Sequence, residues 1–258
     1  MTPDTHRAAE RFSRLEGPTG DFPFYNAVPA SISSRQWLFV MTMVAAGFLA
    51  LALPVAWPGR FGPFVPAVLM PVIPLVALAY VAPGHWKAIF GKVRGREVRL
   101  MFGVALLNIV VSMGVGAIVF ALTEVTPNAA TAQLIGLGMA DKVAFFARII
   151  PQLFGEEVIA LLPFLALLQL FSWTFDLGRK GAIVGAWVVS SVVFGLLHLP
   201  TYDWNLIQCI VIIGSARMVL TLAWIMTKNI WVSTGAHILN DWLLLAVGLL
   251  GAGLQGRI

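Results

Sequence analysis

An all-α bundle of membrane-spanning helices is the fold class this chain predicts, and three observations carry it. Of its 258 residues, 59% are hydrophobic and only 11% are charged, whereas a soluble domain carries roughly 25% charged residues. Apolar runs recur that are long enough, at about 20 residues each, to cross a bilayer core. Glycine and proline are plentiful (24 and 15 residues), a load that membrane helices tolerate because neighbouring groups re-satisfy the freed backbone.

Seven spans follow in order, with room for an eighth helix: about 36–57, 61–82, 100–122, 143–172, 181–199, 205–227 and 230–250. The first begins near Gln36, after a polar stretch of mixed charge that does not read as a signal peptide. Residues 1–30 read as a mobile polar tail, with "GPTGDFPFYNAVP" as an irregular link into the transmembrane domain of residues 31–258. The second span holds Pro63, Pro66, Pro71 and Pro74, so it is expected to bend or partly unwind. The fourth is too long for a straight perpendicular helix and must tilt. The final "LQGRI" matches no lipidation or retention signal. The single cysteine, Cys209, excludes an intrachain disulfide and gives no thiol-metal pattern.

The net charge of +5 reflects topology rather than nucleic-acid binding. With the N-terminus cytoplasmic, the inside segments collect Arg7, Arg11, Arg14, Arg35, Lys87, Lys92, Arg94, Arg96, Arg99, Arg179, Lys180 and Lys228. The outside segments hold only Arg60, Lys142 and Arg257. That asymmetry predicts a cytoplasmic N-terminus. The loop "KAIFGKVRGREVR" is then placed to lie along anionic headgroups, although a plain solvated loop explains it equally well.

Seven ionisable groups remain within the spans: Arg148, Glu156, Glu157, His198, Arg217, His237 and Asp241. Lipid exposure of such groups is costly, so each is a functional candidate and must face another, a wet cavity or the interface. "LFGEEVIALLPF" sets Glu156 and Glu157 inside an apolar run bracketed by Pro151 and Pro163. Successive helical residues differ by about 100°, so one carboxylate can face a reaction site while the other meets a structural partner. The bland alternative is neutralisation by Arg148 or Arg217, locking helices together. "FGLLHLP" puts Phe194 and His198 on one helical face; taken alone, His198 reads more readily as an interfacial residue at a helix end. "GAHILNDW" gathers His237, Asn240 and Asp241 on roughly one face, where Asp241 could simply satisfy His237. The joint occurrence of the three polar breaks is far more specific than any one of them.

These three breaks resemble the CAAX protease and bacteriocin-processing (CPBP, or Abi) family of intramembrane proteases, which includes the type II CAAX prenyl endopeptidases. That family is marked by Glu-Glu-x-x-x-Arg, then Phe-x-x-x-His, then His-x-x-x-Asn. Here "EEVIAL" supplies Glu156 and Glu157 but has Leu161 where arginine is usual; "FGLLH" matches in full, and "HILND" matches at His237 with Asp241 in the asparagine position. The resemblance covers about residues 143–245. It implies peptide-bond hydrolysis in the membrane, with Glu156 as the base that activates water, His198 assisting, and His237 with position 241 steadying the oxyanion. Glu157 lacks its usual partner, for which Arg148 or Arg217 can substitute. An ionised Asp241 offers only acceptors, so orienting His237 is its favoured role, with Asn240 as the alternative donor.

Straight helices over these spans place Glu156 mid-membrane, His198 near the outer end and His237 nearer the inner end. Tilt, a broken sixth segment around "TYDWNLIQ", or a misplaced span boundary must close that gap. Two glutamates and two histidines could in principle supply a zinc site, but HExxH is absent, and the metal stays unassigned. The implied partners are the lipid bilayer and a membrane-associated protein or peptide substrate, with no nucleic acid, in a bacterial inner membrane. A catalytically silent relative acting in partner binding, immunity or regulation is the second reading. A transporter is the third, weakened by the lack of half-chain symmetry.

Overall fold

The computed structural model of the chain describes residues 11–13, 15–17 and 20–255. Among these residues there is no strand, and seven helices are long and apolar enough to span a membrane. The helices are α1 (Ser34–Ala52), α2 (Phe64–Val81), α3 (Gly95–Leu122), the short α4 (Ala129–Ile135), α5 (Met139–Trp173), α6 (Arg179–Leu196), α7 (Gly214–Thr227) and α8 (Ile230–Gln255). A π-helical turn, Gln208–Ile213, leads into α7 and completes the sixth span.

Local chemistry sets the boundaries. Ser33 and Gln36 form a reciprocal capping box that starts α1. Glu97 accepts from the Arg94 amide at the start of α3 (3.0 Å). Asn229 joins α7 to α8: its Oδ1 accepts from the amides of Gly91 and Trp231, while its Nδ2 donates to the Lys92 carbonyl. α2 runs unbroken through Pro71 and Pro74, contrary to the unwinding expected from its prolines. Both rings are buried, and Pro71 packs against Gly155 of α5, where a Cβ would stand 3.0 Å from its Cδ. Neighbouring helices hold the segment helical where the sequence alone favours a break.

α5 is the axis of the bundle. Its 35 residues extend about 50 Å at 1.5 Å per residue, well beyond a core of about 30 Å, so it crosses obliquely. α2, α6 and α8 pack along it, and α3 and α7 close the other side of α8. Gly195 ends α6 in direct contact with the π turn, where an added Cβ would fall 2.3 Å from the Cys209 carbonyl oxygen. Such close approach is what small residues permit at helix crossings. It draws the start of the sixth span up against the end of the fifth. Above this junction, Gln208 clamps the Thr126 backbone through both its N–H and C=O (2.8 and 2.9 Å).

The polar tail needs correction. Residues 1–10 lie outside the described residues, but the described residues from 11 to 33 fold back against the bundle. Phe22, Phe24 and Ile32 are fully buried, and Glu16 is enclosed. Glu16 accepts a two-pronged ion pair from Arg179 and a further bond from Lys228 (3.3 Å), and Asp21 also pairs with Arg179 (2.7 Å). Trp37 donates to Gln169 (2.8 Å), which donates to the Ile32 carbonyl, tying this hook to the end of α5. The buried aromatics supply apolar area that a mobile tail cannot, and the charges choose where it docks.

Burial pushes the Glu16 carboxyl upward, but the hydrogen bonds from Arg179 and the Phe12 amide, with the charges of Arg179 and Lys228, outweigh it and hold the group at about 2. A depressed carboxylate contributes stability above its ordinary value of 4.5 and loses it as pH falls toward about 2. Hydrogen exchange across residues 20–33 is therefore expected to lose protection within that window. Glu16→Gln should show the same loss at neutral pH, and full protection in that variant would contradict the docking role of the ion pair.

Candidate active site

Three helices deliver the polar residues to one place. On α5, Glu157 is buried at 2% exposure and turns toward α7 and α8. Arg217 of α7 grips it with both guanidinium nitrogens (2.5 and 3.0 Å), the bidentate geometry that a planar fork favours. The same Oε1 lies 2.8 Å from His237 Nδ1 on α8. A carboxylate paired with arginine only accepts, so Nδ1–H is the donor, and this bond fixes the imidazole plane.

His237 is thereby aimed. Its Nε2 stands 3.8 Å from Glu156 Oε2 and 3.7 Å from Asp241 Oδ1. Both separations exceed a direct hydrogen bond but suit groups that share a bridging water. Glu156 is the less enclosed carboxylate, its side chain 12% exposed against 3% for Glu157. Its other oxygen accepts from Gln152 Nε2 (3.2 Å). The two adjacent glutamates thus divide labour as their 100° offset requires: Glu157 is held by protein groups, and Glu156 faces the gap beside His237.

The remaining candidates fall at graded distances. Arg217 takes the place that the missing arginine leaves, whereas Leu161 is buried among apolar side chains. Arg148 does not reach Glu157; it touches Gln152 at 3.5 Å and lies over the Phe145 ring. Phe194 packs its ring against the Arg217 guanidinium (5.2 Å) and against the His198 imidazole (4.8 Å). His198 Nδ1 sits 2.9 Å from the Phe194 carbonyl, which can only accept. In the neutral ring Nδ1 therefore carries the proton, and Nε2 is left as an acceptor. Among the described residues His198 forms no ion pair with Glu156, Glu157 or Asp241. The obliquity of α5 brings Glu156 and His237 together, and His198 stays one ring away. Orientation of His237 also shifts from Asp241, as expected from sequence, to Glu157, because Glu157 makes the shorter bond.

Two groups escaped the sequence reading. Gln152 lies one turn before Glu156 and bonds it, a signal present in the i,i+4 spacing. Asn108 of α3 bonds Asn240 across 132 residues (3.1 Å); being neutral, it fell outside a search for ionisable groups. Among the described residues no three His, Cys, Asp or Glu side chains are grouped to hold a metal. Arg217 and His237 already occupy Glu157, which takes that carboxylate out of any metal donor set.

Residues 140–243 match a family model described as type II CAAX prenyl endopeptidase Rce1-like. Over those residues, less than half of its length, the chain is similar to the CAAX-protease family. No curated protein and no solved structure matches it. The matched region runs from the second residue of α5 into α8 and contains all three polar breaks, so the family resemblance read from the motifs is borne out. With seven apolar helices, the protein is an integral, multi-pass membrane protein.

Proposed function

We propose that the protein is an intramembrane endopeptidase in which Glu156 activates water beside His237. The observation that carries this reading is the opposed pair, Glu156 Oε2 and His237 Nε2, 3.8 Å apart, with a second carboxylate, Glu157, aiming the ring. A water at hydrogen-bond distance from both, about 2.8 Å, can give its proton to Glu156 while its oxygen adds to the scissile carbonyl carbon. The carbonyl oxygen becomes the tetrahedral oxyanion. With Glu157 accepting from Nδ1–H, Nε2 donates to that oxyanion only as imidazolium, and Glu156, Glu157 and Asp241 all stand within 3.8 Å to balance the charge. The C–N bond then breaks as Glu156 returns the proton to the leaving amine. His198 Nε2 is an acceptor suited to the water or the amine from the outer side. The proposed setting is a bacterial inner membrane with the N-terminus cytoplasmic, and the substrate is a membrane-associated protein or peptide.

The test compares membrane peptidomes of cells producing the wild type or Glu156→Gln. Accumulation of an uncut precursor in the variant is expected, and it would also name the substrate. Identical profiles would instead favour a silent relative that binds partners, the reading suggested by Leu161 in the arginine position.

A further inference from the structure

We infer that Asn108, on α3 and outside the residues shared with the family model, is a positioning residue for this hydrolytic site. It anchors the Asn240 amide so that Asn240 holds Asp241 opposite His237. The inference rests on the peptidase reading above.

The contact between α3 and α8 is otherwise apolar. Met101, Val104 and Val111 meet Val232 and Ala236, with Val219, Leu220 and Ala223 of α7 closing the cluster. Asn108 lies one turn beyond Val104, and Asn240 one turn beyond Ala236, so the pair replaces one rung of a hydrophobic ladder. Both amides are buried, Asn108 at 1% and Asn240 at 5% exposure.

The bonds run in one direction. Asn108 Nδ2 donates to Asn240 Oδ1 (3.1 Å), and Asn240 Nδ2 donates to Asp241 Oδ1 (2.9 Å). That same Asp241 oxygen faces His237 Nε2 at 3.7 Å. With its oxygen end engaged by Asn108, Asn240 presents its nitrogen to the carboxylate; reversed, it would set acceptor against acceptor. The chain of bonds therefore fixes Asp241, the residue that stands where the family has asparagine. A purely structural role fits poorly. Asn108 Oδ1 is buried with no partner among the described residues, so the amide gains one hydrogen bond while stranding one acceptor. A pair of apolar residues in place of both amides would pack this rung at less expense.

Asn108→Leu and Asn108→Asp in nanodiscs separate the alternatives. The assay uses an internally quenched, farnesylated peptide ending in a CAAX tetrapeptide, or the precursor found by peptidomics. Outer residues that orient a reacting group typically matter by 10- to 100-fold, so Asn108→Leu is expected to lower kcat about tenfold with KM within about twofold. Its unfolding midpoint in SDS should stay near that of the wild type, because the variant removes one stranded acceptor, Asn108 Oδ1, and strands another, Asn240 Oδ1. Asn108→Asp should be worse, about a hundredfold in kcat, because an ionised carboxylate accepts from Asn240 Nδ2 and draws it off Asp241. In an Asn240→Leu background, Asn108→Leu should cost nothing more. A kcat for Asn108→Leu within about twofold of wild type, a milder effect of Asp than of Leu, or full additivity with Asn240→Leu would each overturn the positioning role. Wild-type protein showing no cleavage that Glu156→Gln abolishes would overturn the peptidase reading and this inference with it. Cleavage that is sensitive to Glu156 but indifferent to Asn108 removes the positioning role alone.

Discussion

Purified Glu156→Gln protein in nanodiscs is expected to cleave peptide about a thousandfold more slowly than wild type, within the 10²–10⁴ range for loss of a positioned base. The amide keeps the shape and can still meet Gln152, but it cannot take a proton from water. Because Glu156 is the carboxylate that protein groups leave facing the gap, its replacement should leave SDS unfolding almost unchanged. KM should move little, since the lost interaction belongs to the transition state. A variant retaining more than a tenth of wild-type kcat would remove Glu156 from the role of base.

Arg217→Met carries the largest expected effect on stability. It leaves Glu157 ionised, with a side chain only 3% exposed and His237 as its remaining partner. Stranding one member of a buried ion pair costs about 3–5 kcal/mol. The Phe194 ring loses the cation it packs against, so the end of α6 that leads into His198 loosens as well. Activity should fall with stability because the His237 ring is no longer held. Adding Glu157→Gln to Arg217→Met removes both charges and should recover most of the lost stability without restoring cleavage: neutral glutamine does not balance an imidazolium. SDS titration with a parallel peptide assay measures both. Equal stability of the single and double variants would show that Glu157 is not stranded.

The spanning helices were legible because hydropathy reports burial in lipid directly. All seven predicted spans overlap the observed ones, with ends displaced by a few residues. Glu156, Glu157, His237 and Asp241 were legible because charge in an apolar run demands a partner, and the structure brings them together around one imidazole. What escaped depends on separations that local pattern does not encode. Glu16 finds Arg179 at a distance of 163 residues, so a polar stretch that reads as a tail becomes a docked hook. Phe22, Phe24 and Tyr25 within that stretch were the available signal. The depth conflict between motifs arose from laying the polar breaks out along straight helices. The π turn and Gly195 contact reset the junction between the fifth and sixth spans by tertiary packing, which residue order does not announce.

The guanidinium that serves Glu157 arrives from a helix 60 residues downstream rather than from the next turn of its own. A search pattern demanding arginine four positions after the second glutamate would discard this chain, although the electrostatic unit is intact. Relatives sharing this exchange are better sought by pairing the two positions, 161 and 217, as a single character: an apolar residue at one should accompany a cation at the other.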